Sequence, residues 1–336
     1  MNQQQPSSLS ASGSRKKSLS NRWGRRRERA RQGLAIVPSL LTLGNAVCGI
    51  AAIIKVAKIQ WAADVTAASP YFWATNLKEA ALLILLGMVF DMLDGRVARL
   101  TKTTSDFGGQ LDSLSDAITF GVTPGVITIM ANAEARFPAH PFWTKLAWVF
   151  GIAYAVGGIS RLARFNVEND HDEKAHLEFK GLPSPAAAGV IATLVLLQSY
   201  LLGTGTHTFV PPVDTSYLEN VGYAITYILP FVALGLGYLM VSKFKYVHVA
   251  NKYLKGRKPF YYLRILLVAG VCLALLPEVF GALLFAGFAL TGPILSWKNR
   301  VLGTGQAPAP PLGAAPSAAL PPASPPDIAP QPATGT

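Results

Sequence analysis

The sequence predicts an all-α protein, a polytopic transmembrane helical bundle of about eight spans. Three observations lead to this class. First, 51% of the residues are hydrophobic and only 14% are charged, whereas soluble domains carry about 25% charged residues. Second, apolar residues recur in runs of about 17–25, the length of a helix that crosses a bilayer. Third, Lys and Arg are concentrated in alternate connections between these runs, as the positive-inside rule predicts.

The apolar runs fill most of the chain between two polar or low-complexity tails. They lie approximately at 36–57, 79–99, 113–133, 145–165, 186–203, 221–242, 261–277 and 279–297. A soluble helical bundle is disfavoured, because so many runs would leave almost no polar helix face. We therefore expect a basic disordered cytoplasmic tail at 1–33, a transmembrane domain at 34–300 and a Pro/Ala-rich disordered tail at 301–336.

The net charge of +12 is explained by membrane topology. If the N-terminus is cytoplasmic, five of the 30 basic residues lie at outer ends of spans, and nine of the others lie in the N-terminal tail. The five are Lys55, Lys58, Lys78, Arg136 and Lys145. The inner clusters suit anionic lipid headgroups. We expect membrane lipids as partners, no nucleic acid, and both termini in the cytoplasm.

Five aspartates lie in the stretch "DMLDGRVARLTKTTSDFGGQLDSLSD" at 91–116, between the second and third runs. Asp91 and Asp94 are three residues apart, and Asp112 and Asp116 are four apart, so each pair shares one helix face. A short connection makes the two helices antiparallel neighbours. Four carboxylates are thus predicted to converge on one pocket at the cytoplasmic surface.

Such a cluster is unfavourable unless protons or divalent cations offset it. Two ionised carboxylates about 4 Å apart repel by about 4 kcal/mol at an effective dielectric of about 20. Oxygen-rich sites suit Mg²⁺, Mn²⁺ or Ca²⁺, and two such ions at one site fit phosphoryl transfer. Gly95 and Gly108 allow close approach of a ligand. Ala98 keeps the same helix face open, and Arg99 offers a planar fork for phosphate.

The spacing D-x2-D-G-x2-A-R-x8-G-x3-D-x3-D resembles the signature of the CDP-alcohol phosphatidyltransferases. It is met by Asp91, Asp94, Gly95, Ala98, Arg99, Gly108, Asp112 and Asp116. The resemblance implies that the four aspartates hold two divalent ions, Mg²⁺ or Mn²⁺, and that Asp116 is also the general base. It implies that the two glycines, Ala98 and Arg99 face CDP. Asp106 lies outside the pattern and is expected in a loop.

Four further blocks resemble the serine-using branch of that family, the membrane-embedded phosphatidylserine synthases. They are "PSLLTLGNAVCGI" (38–50), "GGISRLARFNV" (157–167), "FKGLPSPAAAG" (179–189) and "LMVSKFKY" (239–246). The resemblance covers roughly residues 35–298. It implies transfer of the phosphatidyl group of CDP-diacylglycerol to L-serine by a homodimer in the cytoplasmic membrane.

The residues that bind the acceptor are less well defined. Arg161 and Arg164 lie at the inner end of the fourth run. Either is suited to clamp a carboxylate or the lipid phosphate in a bidentate manner, or both serve only the positive-inside topology. Asn166 can donate and accept hydrogen bonds, and Lys180 is a weaker candidate. Asn45, in the first run, either reaches the nucleotide or packs against a neighbouring helix.

Other functions remain to be separated from this one. A sister enzyme that uses glycerol 3-phosphate, inositol phosphate or choline would need a basic cluster facing the motif, and Arg161, Arg164 and Lys180 leave that open. A cation transporter would be expected to show internal repeats and acids near mid-membrane, and the sequence shows neither. A lipid-binding scaffold does not explain the spaced motif.

Overall fold

The fold is known from a computed structural model. It describes residues 37–58, 70–101, 106–133, 141–169, 179–204, 215–246 and 276–301, and the single residue 270. The N-terminal tail, nearly all of the C-terminal tail and nearly all of the run at 261–277 lie outside these residues.

The described residues form helices joined by connections. The helices are α1 (Val37–Lys58), α2 (Pro70–Thr101), α3 (Asp106–Asp116), α4 (Thr123–Ala133), α5 (Pro141–Asn169), α6 (Ser184–Ser199), α7 (Thr215–Val241) and α8 (Pro277–Val301). Two π-helical segments, Ala117–Val122 and Tyr200–Thr204, continue α3 into α4 and extend α6.

Six helical segments of the described chain are long and apolar enough to cross a membrane. They are α1, the continuous α3–α4 helix, α5, α6, α7 and α8. The run predicted at 79–99 lies in α2, which has 32 residues but is not among the six. The helical bundle class is confirmed, whereas a count of eight spans is not.

The connection between α2 and α3 is shorter than the sequence suggested. Helix α2 ends at Thr101 and α3 begins at Asp106. The prediction that Asp106 lies in a loop is therefore wrong.

Helix α1 lies directly against the π-helical segment that follows α3. The Thr119 hydroxyl donates to the Asn45 carbonyl at 2.9 Å, and the Thr123 hydroxyl donates to the Gly49 carbonyl at 3.3 Å. A Cβ on Gly49 would lie 2.5 Å from Thr119 Oγ1, so glycine is required for this approach. These contacts bring the polar residues of α1 to the aspartates.

Helix α5 packs between α7 and the helix that bears the aspartates. Tyr154 is fully buried and donates its hydroxyl to the Phe120 carbonyl at 3.0 Å. On the other side, Gly157 lies against Gly237, where an added Cβ would be 2.8 Å from the Gly237 oxygen. Helix α5 thereby links the site to the apolar core.

A two-residue antiparallel ladder is the one strand pairing among the described residues. It pairs Phe179–Lys180 with Lys245–Tyr246. Gly181 follows with φ +86°, and a Cβ there would collide with the backbone at the end of α7. Tyr246 is buried, and its hydroxyl donates to the Ala289 carbonyl of α8 at 3.1 Å. The ladder fixes the segment before α6 to the end of α7 and, through Tyr246, to the middle of α8.

Candidate active site

Three of the four motif aspartates converge at the α2–α3 connection. One carboxylate oxygen each of Asp91, Asp112 and Asp116 lies within 4.8 Å of the other two, and all three side chains are half-buried. Asp91 comes from α2, and the other two come from α3. The convergence expected from the sequence is present for these three, and the arrangement could hold a metal ion.

Asp94 adds a fourth carboxylate one helical turn from Asp91. It is only 5% exposed, and its charge acts on both Asp91 and Asp112. Thr42 of α1 and the Gly95 N–H lie near its carboxylate. However, Asp94 Oδ2 and Asp112 Oδ1 are buried without a hydrogen-bond partner. Buried oxygens of this kind are rare, and an oxygen-liganded divalent cation would satisfy them.

The charge density of this cluster requires compensation. Two ionised carboxylates 4.8 Å apart repel by about 3–4 kcal/mol at an effective dielectric of about 20. Burial of several such groups adds a desolvation penalty. The donor set is therefore chemically suited to hard divalent cations, which remove both costs when they bind.

Asn45 of α1 contacts Asp116 directly. Its Nδ2 donates to Asp116 Oδ1 at 3.0 Å, and the side chain is fully buried. Its Oδ1 has no partner and faces Gly87, where an added Cβ would be 2.9 Å away. Asn45 therefore does hydrogen-bond a neighbouring helix, and contact with a nucleotide stays a prediction.

The small residues of the motif leave space next to the carboxylates. A Cβ added to Gly95, or to Gly109 next to the motif residue Gly108, would meet no atom within 4 Å. Ala98 and Gly108 are half-buried. Arg99 Nε donates to the Gly95 carbonyl at 2.9 Å, which folds the guanidinium back along α2. This open face is where a nucleotide could approach.

The two arginines of α5 have different surroundings. Arg161 is 9% exposed, its Nη1 donates to Ser184 Oγ at 3.1 Å, and its buried Nε has no partner. Asp116 is near enough for its charge to act on the guanidinium. Arg164 donates from Nη1 to the Val241 carbonyl at 3.0 Å. Arg164 therefore helps to join α5 to the end of α7.

Asn166 joins the inner end of α5 to the aspartate helix. Its Nδ2 donates to Ser113 Oγ at 3.1 Å. The Lys180 backbone lies in the ladder, but its side chain is outside what the structure describes. Sequence reasoning missed the site contacts of Ser113, Thr42 and Ser184. Ser113 follows a motif aspartate directly, which was the available signal, whereas hydroxyl residues are too common in membrane helices to single out the other two.

The comparison with known families decides which group of proteins has this site. The model of the CDP-alcohol phosphatidyltransferase family matches residues 35–236, more than half of the chain. The chain belongs to this family. The matched region contains all of the residues placed at the site above.

Individual relatives share part of their length with the chain. The CDP-diacylglycerol--serine O-phosphatidyltransferase of Helicobacter pylori (strain ATCC 700392 / 26695) is 34% identical over 177 residues, which are 52% of this chain and 64% of the relative. The protein of that name from Mycobacterium tuberculosis H37Rv is 33% identical over 178 residues, which are 52% of this chain and 54% of the relative. The one from Bacillus subtilis 168 is 30% identical over 213 residues, which are 63% of this chain and 90% of the relative. The chain thus spans less than two thirds of the first two relatives and most of the third.

Proposed function

We propose that the protein is an integral membrane enzyme that transfers the phosphatidyl group of CDP-diacylglycerol to L-serine, giving phosphatidylserine and CMP. The observation that carries this proposal is the convergence of Asp91, Asp112 and Asp116 carboxylate oxygens within 4.8 Å. Family membership supports the CDP-alcohol chemistry. The names of the relatives support serine as the acceptor.

The four motif aspartates would hold two divalent ions, Mg²⁺ or Mn²⁺. When bound, such ions neutralise negative charge on the diphosphate and on the attacking and leaving oxygens. The unpartnered oxygens of Asp94 and Asp112 support this assignment, since each lacks a hydrogen-bond donor.

Asp116 acts as the general base in this proposal. It takes the proton of the serine hydroxyl as that oxygen bonds to the lipid-side phosphorus, and the bond from phosphorus to the CMP oxygen breaks with its electron pair. The Asn45 amide, 3.0 Å away, keeps the Asp116 carboxylate in one orientation. A positioned general base contributes about 10²–10⁴-fold to a rate.

The substrates are bound by the residues around the aspartates. The open face at Gly95, together with Ala98, Gly108 and Arg99, receives the CDP group. Arg161 binds the serine carboxylate, because its Nε is buried without a partner and a guanidinium pairs with a carboxylate in two parallel hydrogen bonds. We assign Asn166 and Lys180 weaker roles on the same side, and Arg164 supports α5.

We further propose that the enzyme resides in the cytoplasmic membrane with both termini and the active site in the cytoplasm. The basic clusters at one set of helix connections support this orientation. The homodimer implied by the family resemblance stays a prediction, which cross-linking in intact membranes would check.

An acceptor competition assay tests the proposed reaction. Purified protein receives CDP-diacylglycerol, Mn²⁺ or Mg²⁺, and an equimolar mixture of serine, glycerol 3-phosphate, inositol phosphate and choline. Mass spectrometry of the lipid product should show phosphatidylserine, with CMP released in equal amount. A product from a phosphorylated acceptor or from choline would instead assign the sister activity, and no lipid product with any acceptor would overturn the proposal.

A further inference from the structure

The helix that carries Asp112 and Asp116 contains an irregularity immediately after them. Asp112, Asp116, Thr119 and Thr123 follow one another at spacings of four, three and four. In an uninterrupted α-helix all four would share one face. The π-helical segment Ala117–Val122 intervenes, and its extra residue turns the later part by about 100°. Even so, Asp116 and Thr119 both reach Asn45 of α1.

Both hydroxyl groups are used to bind α1. Thr119 Oγ1 donates to the Asn45 carbonyl at 2.9 Å, and Thr123 Oγ1 lies 3.3 Å from the Gly49 carbonyl. The threonines are four residues apart and so are their acceptors, which makes a ladder between the helices: Thr119 forms the firm rung, and Thr123, whose one hydroxyl proton is shared with the Ile118 carbonyl, forms a weaker one. Both threonines are fully buried.

Thr123 also closes the π turn itself. The Ile118 carbonyl, five residues back, accepts from the Thr123 backbone N–H and, at 2.8 Å, from its hydroxyl. An ordinary α-helical threonine bonds to the carbonyl four residues back, as Thr128 does to Pro124 at 2.9 Å. The Thr123 contact is thus specific to the irregular turn.

The ladder reaches the carboxylate cluster through Asn45. The backbone carbonyl of Asn45 accepts from Thr119, while its side chain donates to Asp116 Oδ1 at 3.0 Å. The helix with the aspartates therefore makes two hydrogen bonds to one residue of α1, Asn45. A shift of the π turn along α1 would move Asp116 relative to Asp91 on α2.

We propose that Thr119 and Thr123 are positioning residues, which hold the π turn against α1 so that Asp112 and Asp116 meet Asp91. This deepens the proposed function and rests on it for the reaction. The affinity of the carboxylate cluster for Mn²⁺ depends on its geometry and can be measured without the transfer reaction. Displacement of a catalytic group by about 1 Å is enough to cost about 10²-fold in rate.

The experiment is a Mn²⁺ titration of the purified full chain, followed by the electron paramagnetic resonance signal of free Mn²⁺. Thr123→Val removes the hydroxyl with little change of shape, Thr123→Ser retains it, and Thr128→Val is the matched control on the same helix. Thr123→Val should weaken Mn²⁺ binding about tenfold, and the other two should bind within about twofold of the unmodified protein. In the transfer assay, Thr123→Val should lower kcat and leave the KM for serine unchanged.

Several results would overturn the proposal. Examples are unchanged Mn²⁺ binding by Thr123→Val, a Thr123→Ser variant as weak as Thr123→Val, and equal weakening by Thr128→Val, which would indicate a general loss of packing. An unmodified protein that binds no Mn²⁺ would also overturn it. If Thr123→Val does not accumulate as folded protein, Thr119→Val is judged by the same criteria. If the variants bind Mn²⁺ with the expected relative affinities but the protein does not catalyse the transfer reaction, the result counts against the proposed function alone.

Discussion

The α5–α7 junction and the α2–α3 aspartate site are built on opposite principles. At the junction, Gly157 lies against Gly237 with backbone in direct contact. Nearby, the Phe231 ring meets Phe150 and Trp143 edge to face, with centroids 5.4 and 6.1 Å apart. Such aromatic pairs contribute about 0.5–1.5 kcal/mol beyond their burial, so this region stabilises the bundle.

The aspartate site contains what a stable core excludes. Like charges lie within 4.8 Å of one another, buried oxygens lack donors, and Gly95 borders open space. Proteins tolerate such local violations mainly where function requires them. The contrast indicates that the junction is optimised for packing, whereas the site is kept at a cost in stability.

The largest effect should come from neutralising one carboxylate. Asp91→Asn should lower CMP release at least about 10³-fold, because the cluster loses a ligand charge at its centre. In buffer with EDTA the same variant should melt at an equal or higher temperature, since repulsion of up to about 3–4 kcal/mol per ionised pair is relieved. Radiometric CMP release and a thermal unfolding curve measure the two quantities.

Glu79→Gln is the control for that variant. Glu79 lies on the same helix, pairs with Lys55 and is 43% exposed. Exposed pairs contribute about 0–1 kcal/mol, so activity and melting temperature should stay close to those of the unmodified protein. Retention of more than a tenth of the activity by Asp91→Asn would contradict the assignment of the site.

The next largest effect is expected at the junction, on stability. A Cβ at Gly157 would lie 2.8 Å from the Gly237 oxygen, so Gly157→Ala should separate α5 from α7 and destabilise the protein by about 1–3 kcal/mol. Gly235 lies on α7, as Gly237 does, and a Cβ added there would meet no atom within 4 Å. Gly235→Ala should therefore be neutral or stabilising. Thermal unfolding in detergent compares them, and equal melting temperatures would refute the close contact.

The aspartate cluster could be predicted from the sequence because its geometry is local. Spacings of three and four on two helices joined by a short turn are sufficient to bring Asp91 and Asp112 together. The partners of those residues come from distant segments. Asn45 reaches Asp116 across 71 positions of the chain, and no periodicity encodes such a pairing.

The π turn and the start of α3 were beyond sequence reasoning for a different reason. Ala117–Val122 reads as an ordinary apolar helix, and only packing against α1 shows that it is widened. In the same way, Asp106 in a polar stretch read as a loop residue although it begins a helix. Local propensity is a weak prior that tertiary contacts override.

A smaller effect, confined to substrate binding, is expected at Gly95. Because an added Cβ meets no protein atom within 4 Å, Gly95→Ala should fold with an unchanged melting temperature. The same methyl group should enter the space assigned to CDP and raise the KM for CDP-diacylglycerol about tenfold. Steady-state kinetics in mixed micelles provide the measurement. A lowered melting temperature, or an unchanged KM, would show that the open face is not the nucleotide site.

The smallest effect should separate the orientation of Arg161 from its charge. Ser184→Ala removes the one hydroxyl that accepts from Arg161 Nη1 at 3.1 Å, so the guanidinium stays but is less firmly held. We expect the KM for serine to rise about threefold with kcat within about twofold, because the lost bond affects binding of the acceptor. Thr193→Val removes another buried hydroxyl of α6, one that bonds only within its own helix, and should leave the KM for serine unchanged. If Ser184→Ala lowered kcat instead, Arg161 would act on the reaction centre through Asp116, and its assignment to the serine carboxylate would be wrong.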